Sequence, residues 1–202
     1  MQEHTSEAAR KNPLLERLRS GTRELHDRIE GVVPLLRPDL TLTAYTAYLA
    51  RIAGYYPPIE AALASAPPSF VEHFGIDERK KSHLLHRDLL ALGLDEARLA
   101  ALPVCSDLPD LSSPDRMIGC LYVLEGSTLG SRVLLRTVKN LGVDEGSGAA
   151  FLAGYGADTG PMWVRYGEAL AAYASRADAA LVVRGAEDTF TTLERWIATA
   201  EA

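Results

Sequence analysis

His26 is, of the five histidines in the chain, the one whose neighbours best suit a metal ligand. At helical spacing, Arg19, Thr22 and Glu30 fall within about 40° of it on one helix face. A histidine that binds a metal usually donates its second ring N–H to a carboxylate or carbonyl, and Glu30 lies one turn away to accept it. The same pattern fits a half-buried histidine paired with Glu30 on an ordinary helix, so His26 alone leaves both interpretations open.

A second candidate feature is a long helix that contains three glycines. The stretch from Ser113 to Gly142 begins at a capping serine followed by proline and ends at a glycine. Gly119, Gly126 and Gly130 inside it each cost about 0.8 to 1 kcal/mol relative to alanine. All three lie within about 40° of one another on the helix. This face can accept a broad flat ligand, allow a bend, or pack tightly against another helix.

The other metal-binding side chains are weaker candidates. His83 and His86 are three residues apart, but no third ligand is evident, and we interpret them as solvated surface residues. Cys105 and Cys120 fall in different predicted elements and outside any CxxC pair. Neither a disulfide framework nor a zinc ribbon is expected.

Helical periodicity must position these residues, since no segment alternates as a strand does. The predicted helices run from Pro13 to Glu30, from Thr41 or Thr43 to Leu63, from Asp77 to Gly93, from Asp95 to Leu102, from Ser113 to Gly142, from Pro161 to Ala174 and from Ala177 to Ala200. Pro57 and Pro58 are expected to kink or interrupt the second helix, and Ala66 to Ser69 to form a break. One further helical turn is expected at Ala149 to Ala153. We expect one all-α domain over residues 12–202 after a mobile tail at 1–11.

Composition narrows the class of protein. The chain has 202 residues, of which 47% are hydrophobic and 24% charged, as in an ordinary globular protein. Its net charge of -6 argues against a general nucleic-acid binder. The N-terminus lacks the apolar segment of a signal peptide, and no run approaches 18 apolar residues. We expect a soluble cytoplasmic protein without a membrane span.

Two motifs together resemble the haem-sandwiching helices of haem (heme) oxygenases, especially the bacterial branch found beside phytochromes. They are RLRSGTRELHDRIE at 17–30 and LYVLEGSTLGSRVL at 121–134. Between them, IAGYYPPIEAAL at 52–63 resembles the second helix of the family. The resemblance covers most of the chain and implies a single-domain helix bundle that holds haem between a proximal helix and a kinked distal helix.

The resemblance implies roles for the residues that match the motifs of the family. His26 matches the proximal axial ligand of the haem iron, and Glu30 the acid beside it. Gly126 and Gly130 match the distal glycines that lie against the macrocycle on its oxygen-binding side. An axial histidine on one side leaves the other side of the iron open for O₂.

The resemblance also implies further contacts to haem. Arg19 falls where the family has a basic residue near the haem propionates, and Thr22 shares its helix face. Phe190 falls where the family has an aromatic residue that lines the pocket. Arg165 is chosen by residue type as a second propionate partner, because the local alignment is loose.

The distal helix departs from the animal branch of the family. That branch has an aspartate directly after the first distal glycine, where its carboxylate organises water, and this chain has Ser127. Ser127 and Thr128 are expected to hold the water instead. Ser131 stands where many members have a second glycine, so the resemblance does not determine the width of the pocket.

The implied activity is the oxidative opening of haem to biliverdin with release of CO and iron, using O₂ and electrons from a redox partner. An acidic ferredoxin or flavodoxin is the expected donor, attracted by a basic surface formed by Arg10, Lys11, Arg17, Arg19, Arg23, Arg132, Arg136 and Lys139. A phytochrome is a candidate consumer of the biliverdin, and a monomer is expected. Two alternatives remain, a haem-binding or haem-delivery protein that does not degrade its ligand, and a related all-α enzyme that binds a small organic substrate without iron.

Overall fold

Residues 12–199 are described by a computed structural model, and they form helices and turns without a strand among them. The helices, numbered in chain order, are α1 (Pro13–Val32), α2 (Leu42–Ala64), α3 (Pro68–Phe74), α4 (Ser82–Ala91), α5 (Glu96–Ala100), α6 (Pro114–Lys139), α7 (Ala150–Ala153), α8 (Thr159–Tyr173) and α9 (Ala179–Ala198). The all-α prediction is confirmed for this part of the chain. The expected tail at 1–11 lies outside the described residues.

Helix α6 is the longest described helix, and three other helices pack against it. Helix α9 lies along it and also packs against α1 and α2, while α7 and α8 contact α6 from other sides. The buried apolar side chains of these helices form one hydrophobic core. Because α9 contacts both α1 and α6, it holds the two helices that carry most of the predicted site residues.

Side-chain caps mark the starts of α1 and α6, and the cap of α6 is the serine that the sequence predicts. The Asn12 side chain accepts the N–H groups of Leu14 and Leu15 at 3.1 and 3.2 Å. Its amide nitrogen also donates to the carbonyl oxygen of Gly167 in α8 at 3.2 Å. Ser113 caps α6 by accepting the N–H three residues further on. These bonds satisfy amide groups that a helix start leaves without partners.

Pro57 and Pro58, which the sequence predicts to kink or interrupt the second helix, do not interrupt it, because α2 is continuous from Leu42 to Ala64. Pro58 lacks the N–H that would bond to the carbonyl of Gly54 one turn earlier. That carbonyl oxygen instead accepts the N–H of Cys105 at 2.9 Å. A partner from the connection before α6 therefore replaces the lost helical bond.

Two predicted boundaries also differ from the structure. Helix α3 begins inside the expected break at Ala66–Ser69, with Pro68 in the first helical turn. Asp77 opens a short 3₁₀ turn, and α4 begins only at Ser82. The Ser82 N–H is accepted by Glu60 of α2 at 3.1 Å. A carboxylate from another helix thus takes the capping role that the sequence assigns to the local aspartate.

Gly119 and Gly185 allow α6 and α9 to cross in backbone contact. A Cβ atom on Gly119 would lie 2.0 Å from the carbonyl oxygen of Val182. One on Gly185 would lie 2.2 Å from the carbonyl oxygen of Arg116. The tight-packing interpretation of the α6 glycines is therefore correct for Gly119.

Helix α6 is also long and apolar enough to cross a membrane, judged by length and composition only. Half of its most apolar 18-residue window is buried inside the protein. The core helix of a soluble protein meets the same criteria. Among the described residues, α6 packs against α7, α8 and α9, as a core helix does.

Gly119→Ala and Gly130→Ala are expected to change stability in opposite directions. At Gly119 the methyl group would overlap the backbone of α9, and overpacking of this kind costs about 1 to 3 kcal/mol. No atom lies within 4 Å of a Cβ on Gly130, so alanine there should stabilise the ligand-free protein by up to about 1 kcal/mol through helix propensity. Urea unfolding followed by circular dichroism measures both effects. Equal free energies of unfolding would contradict the packing role of Gly119.

Candidate functional site

A cavity of about 560 Å³ lies between α1 and α6. Side chains of α2, α7 and α9 complete its wall, together with Trp163 of α8. The predicted site residues that line it are Arg19, His26, Glu30, Gly126, Ser127, Gly130 and Phe190. Leu36, Leu129 and Val133 line it while remaining exposed to solvent, so one edge of the cavity is open.

His26 projects from α1 at the border between cavity and solvent. Its side chain is 57% exposed, and its Nδ1 lies 3.6 Å from a carboxylate oxygen of Glu30. The ring also meets Phe190 edge-on, with the two centroids 6.1 Å apart. At 3.6 Å the Glu30 carboxylate is too far for a direct hydrogen bond, and a bridging water fits that spacing. The predicted i,i+4 pair is therefore present, and it faces a cavity.

Gly126 and Gly130 expose the backbone of α6 to this cavity. The nearest atom to a Cβ on Gly126 would be a ring carbon of Trp163, at 4.0 Å. No atom lies within 4 Å of a Cβ on Gly130. Gly119 lies seven residues before Gly126, about 10.5 Å away along the helix axis, where the same face of α6 meets α9. The three glycines therefore have two roles, one in packing and two at the cavity.

Hydrogen bonds define the polar groups of the distal wall. The Ser127 hydroxyl donates to the carbonyl of Leu124 at 2.8 Å and lies 3.3 Å from the Tyr56 hydroxyl. Because the serine proton points to Leu124, the Tyr56 hydroxyl is the donor in the second contact. Burial raises the pKa of Tyr56. Tyr56 is therefore a neutral phenol at ordinary pH.

Tyr56 is a site residue that the sequence reasoning missed. Tyr48, Ile52 and Tyr56 all line the cavity and are spaced four residues apart on α2. Burial also raises the pKa of Tyr48. The i, i+4, i+8 spacing was a usable signal, but it only defines a helix face and does not identify the neighbour of that face.

Two other hydroxyls of the distal segment bond to the helix itself. Thr128 is buried outside the cavity lining, and its hydroxyl donates to the Leu124 carbonyl at 2.8 Å. Ser131 lines the cavity, but its hydroxyl donates to the Ser127 carbonyl at 2.7 Å. The structure therefore places Thr128 away from the position where it was expected to hold a water with Ser127.

A family model described as heme oxygenase matches residues 12–199. The chain belongs to the haem oxygenase family. The resemblance read from the two helix motifs is thereby confirmed at the level of the family. No curated protein matches the chain.

Solved bacterial structures share the fold of this family member. A heme oxygenase from Neisseria meningitidis, solved with NO and CO bound, has a TM-score of 0.70 and 21% identity, over 92% of this chain and 90% of that one. Heme oxygenase-1 from the cyanobacterium Synechocystis, in complex with heme, has a TM-score of 0.74 and 17% identity, over 93% of this chain and 92% of that one. Similarity at these identities establishes the fold.

The residues of this haem oxygenase family member fit haem. The cavity volume is within the range of about 300 to 1,000 Å³ that is common for cofactor pockets. His26 is the one described histidine that lines it, and the bare backbone at Gly126 and Gly130 leaves a flat surface. His26 would hold the iron, while the glycines and Phe190 would contact the macrocycle.

The predicted haem contacts on the edge of the cavity have mixed outcomes. Arg19 is the one basic residue among residues 12–199 that lines the cavity. Arg165 does not line it, and its guanidinium lies 3.7 Å from the Glu78 carboxylate. Thr22 is buried in the core, where its hydroxyl donates to the Leu18 carbonyl at 2.7 Å. The structure brings Arg19 to the site and leaves Arg165 and Thr22 outside it.

The described residues offer one cluster of possible metal ligands. His26, Asp27 and Glu30 have ligand atoms within 4.8 Å of one another, and all three side chains are exposed. His86 is instead 3.0 Å from Glu96 on the surface, in agreement with its interpretation as a solvated residue.

Gly130→Leu is expected to fill the haem cavity, whereas Gly31→Leu is the matched control. Both glycines are helical and have no atom within 4 Å of a built Cβ, but only Gly130 lines the cavity. Overpacking costs about 1 to 3 kcal/mol, so haem affinity should fall about tenfold or more in Gly130→Leu. Absorbance titration with haemin measures the affinity. Equal affinities for the two variants would exclude Gly130 from the haem surface.

Proposed function

We propose that this family member is an active haem oxygenase, which opens haem to biliverdin with release of CO and iron. The reaction uses O₂ and electrons from a redox partner protein. The observation that carries the proposal is the pairing of the two cavity walls. One wall offers His26, the only histidine among the described residues that lines the cavity, and the other offers helix backbone without side chains at Gly126 and Gly130.

Haem, when bound, supplies the redox-active iron and is itself the substrate whose ring is opened. His26 binds the iron from α1, and Glu30 orients the imidazole through its second ring nitrogen. Arg19 at the cavity edge pairs with a propionate carboxylate. These three residues would hold haem on the side of the cavity that faces the distal wall.

The distal wall is weakly polar, which suits controlled oxygen chemistry. Its polar groups include Ser127 and the neutral Tyr56, which are joined by a hydrogen bond of 3.3 Å. Tyr56 and Ser127 both line the cavity, so a water that contacts these hydroxyls from the cavity can supply a proton on this side. Buried apolar neighbours such as Phe151 and Leu152 limit the access of further water.

A haem-binding or haem-delivery role is the second candidate function. The observation in its favour is the engagement of the distal hydroxyls. Ser127 and Ser131 both donate to backbone carbonyls of α6, and serine replaces the aspartate of the animal branch. A wall without a free strong donor suits stable storage of haem as well as its slow degradation.

Electron supply from an acidic ferredoxin or flavodoxin is part of the proposal. Arg17, Arg19 and Arg23 on α1 are exposed, as are Arg132 and Arg136 on α6, and Arg19 lines the cavity. Lys139 is exposed at the end of α6, while Arg10 and Lys11 lie outside the described residues. A phytochrome as consumer of biliverdin, a monomeric state and a cytoplasmic location complete the proposal.

His26→Ala tests the function directly. The variant should lose the histidine-ligated Soret band with haemin and the ability to form biliverdin, and added imidazole should restore the band. His86→Ala is the control, because that histidine is exposed and paired with Glu96 on the surface. The assay follows the absorption spectrum with ferredoxin and its reductase in air, with CO captured by a reporter globin.

The outcomes of this assay separate the two candidate functions. Decay of the parent Soret band into biliverdin absorption, with CO, supports the oxygenase. A Soret band that persists under reductant supports haem storage or delivery. If the spectrum of His26→Ala with haemin matches that of the parent, His26 does not bind the iron. Both candidate functions would then lack their proposed axial ligand.

Charge reversal at Arg17 and Arg136 should slow electron transfer from an acidic donor. Electrostatic steering accelerates association by about tenfold or more at low ionic strength, and salt screens it. Arg98→Glu on α5 changes the net charge equally and is the control for each single reversal. Stopped-flow reduction of the haem complex by reduced ferredoxin, at low and high salt, measures the rates. Rates that match the parent at both salt concentrations would argue against a basic docking surface.

A further inference from the structure

A buried group of charged residues lies behind α6, away from the haem cavity. Glu125, Arg79 and Lys81 are 3%, 8% and 1% exposed. One Glu125 oxygen accepts Lys81 Nζ at 2.9 Å and the Tyr155 hydroxyl at 2.7 Å, and the other accepts the Arg79 guanidinium. Glu125 directly precedes Gly126 but does not line the haem cavity. One acid is therefore held by three donors on the rear face of the distal helix.

The two cations are themselves held in place. Arg79 Nε donates to the Phe74 carbonyl at 2.7 Å, and Lys81 Nζ donates to the Arg79 carbonyl at 3.2 Å. The backbone N–H of Lys81 donates to Glu60 of α2 at 2.6 Å. The segment from 79 to 82 is thus fixed between α2 and α6, and it cannot follow Glu125 if α6 moves.

These contacts close a circuit around the distal segment. Glu60 follows Tyr56 by one turn on α2, and the Tyr56 hydroxyl meets Ser127 on α6. Ser127 is two residues after Glu125. Lys81 links Glu125 to Glu60, because its ammonium group donates to Glu125 and its backbone N–H donates to Glu60. Helix α6 is therefore tied to α2 on both sides of Gly126.

Stability alone does not explain such a group. Desolvation of buried charges offsets their attraction, and apolar residues of similar size are often as stable or more stable in their place. What paired charges add is one defined geometry, because each displaced partner leaves a buried charge unpaired. Gly126 and Gly130 carry no side chain that could set their distance from a ligand, so their position must be set from behind.

We propose that Glu125 is a positioning residue, which fixes the backbone from Gly126 to Gly130 at a defined distance from the bound ligand. It acts through Arg79, Lys81 and Tyr155 and does not touch haem. This inference rests on the proposed function in one respect, which is that it names the bound ligand as haem. The rigidity that it assigns to the segment is a property of the ligand-free protein as well.

A triple variant separates positioning from stability. Glu125→Leu combined with Arg79→Met and Lys81→Met removes every charge of the group and keeps its approximate volume, so its unfolding midpoint should stay near that of the parent. Amide hydrogen exchange of the ligand-free protein is then compared between residues 126–134 and residues 179–198 of α9. We expect exchange at 126–134 to rise about three- to tenfold, the ratio that corresponds to one lost net hydrogen bond, with α9 unchanged.

Tyr155→Phe keeps the result decisive if the triple variant does not fold. It removes one neutral donor to Glu125 and leaves both ion pairs. Its exchange at 126–134 should rise in the same direction by a smaller factor. Parent-like exchange in a folded triple variant, or in Tyr155→Phe if the triple variant is unfolded, would overturn the positioning role.

The haem-loaded protein gives a second readout. In the folded variants, a displaced distal backbone should change the ratio of biliverdin isomers relative to the parent, which a group that only adds stability would leave unchanged. If the parent itself forms no biliverdin, the proposed oxygenase function fails. Hydrogen exchange in the ligand-free protein still decides the role of Glu125 in that case.

Discussion

The backbone contact between α6 and α9 at Gly119 and Gly185 is the constraint on which the site depends. A Cβ at either glycine would lie 2.0 to 2.2 Å from a carbonyl oxygen of the other helix, so the crossing exists only with glycine at both positions. Helix α9 also packs on α1, where a Cβ on Gly21 would lie 2.8 Å from the side chain of Val183, next to this crossing. One crossing therefore sets the spacing of the wall that carries His26 from the wall that carries Gly126 and Gly130.

A helix that is bare on one face needs its support elsewhere. At Gly126 and Gly130, α6 has no side chains toward the cavity, and the hydroxyls of Ser127, Thr128 and Ser131 donate to carbonyls within the helix. Such back-bonding tends to bend helices. The rear face compensates with a buried carboxylate at Glu125 that is held from three directions. The flat surface and its rigid backing are thus two consequences of one arrangement.

Charge is distributed to match these demands. The chain is acidic overall, at a net -6, yet Arg19 supplies a positive charge at the cavity and further arginines of α1 and α6 are exposed on the same two helices. The interior of the cavity is mostly apolar, with Tyr56 kept neutral by burial. An apolar interior with a basic rim suits a flat, largely apolar ligand that carries acidic groups on one edge, as haem does.

The sequence by itself determined the all-α class, the limits of the long helices, the paired motifs around His26 and Gly126, and hence the family. Those features depend on caps, periodicity and spacing, which are properties of near neighbours in the chain. Tertiary structure alone decided that Gly119 meets α9 while Gly130 meets open space, and that Arg165 and Thr22 lie outside the cavity. The hydrogen bond between Tyr56 and Ser127 joins residues 71 positions apart, and the ion pair between Arg79 and Glu125 joins residues 46 apart. Helical periodicity defines which residues share a face, but only the packing of helices distant in sequence determines what that face contacts.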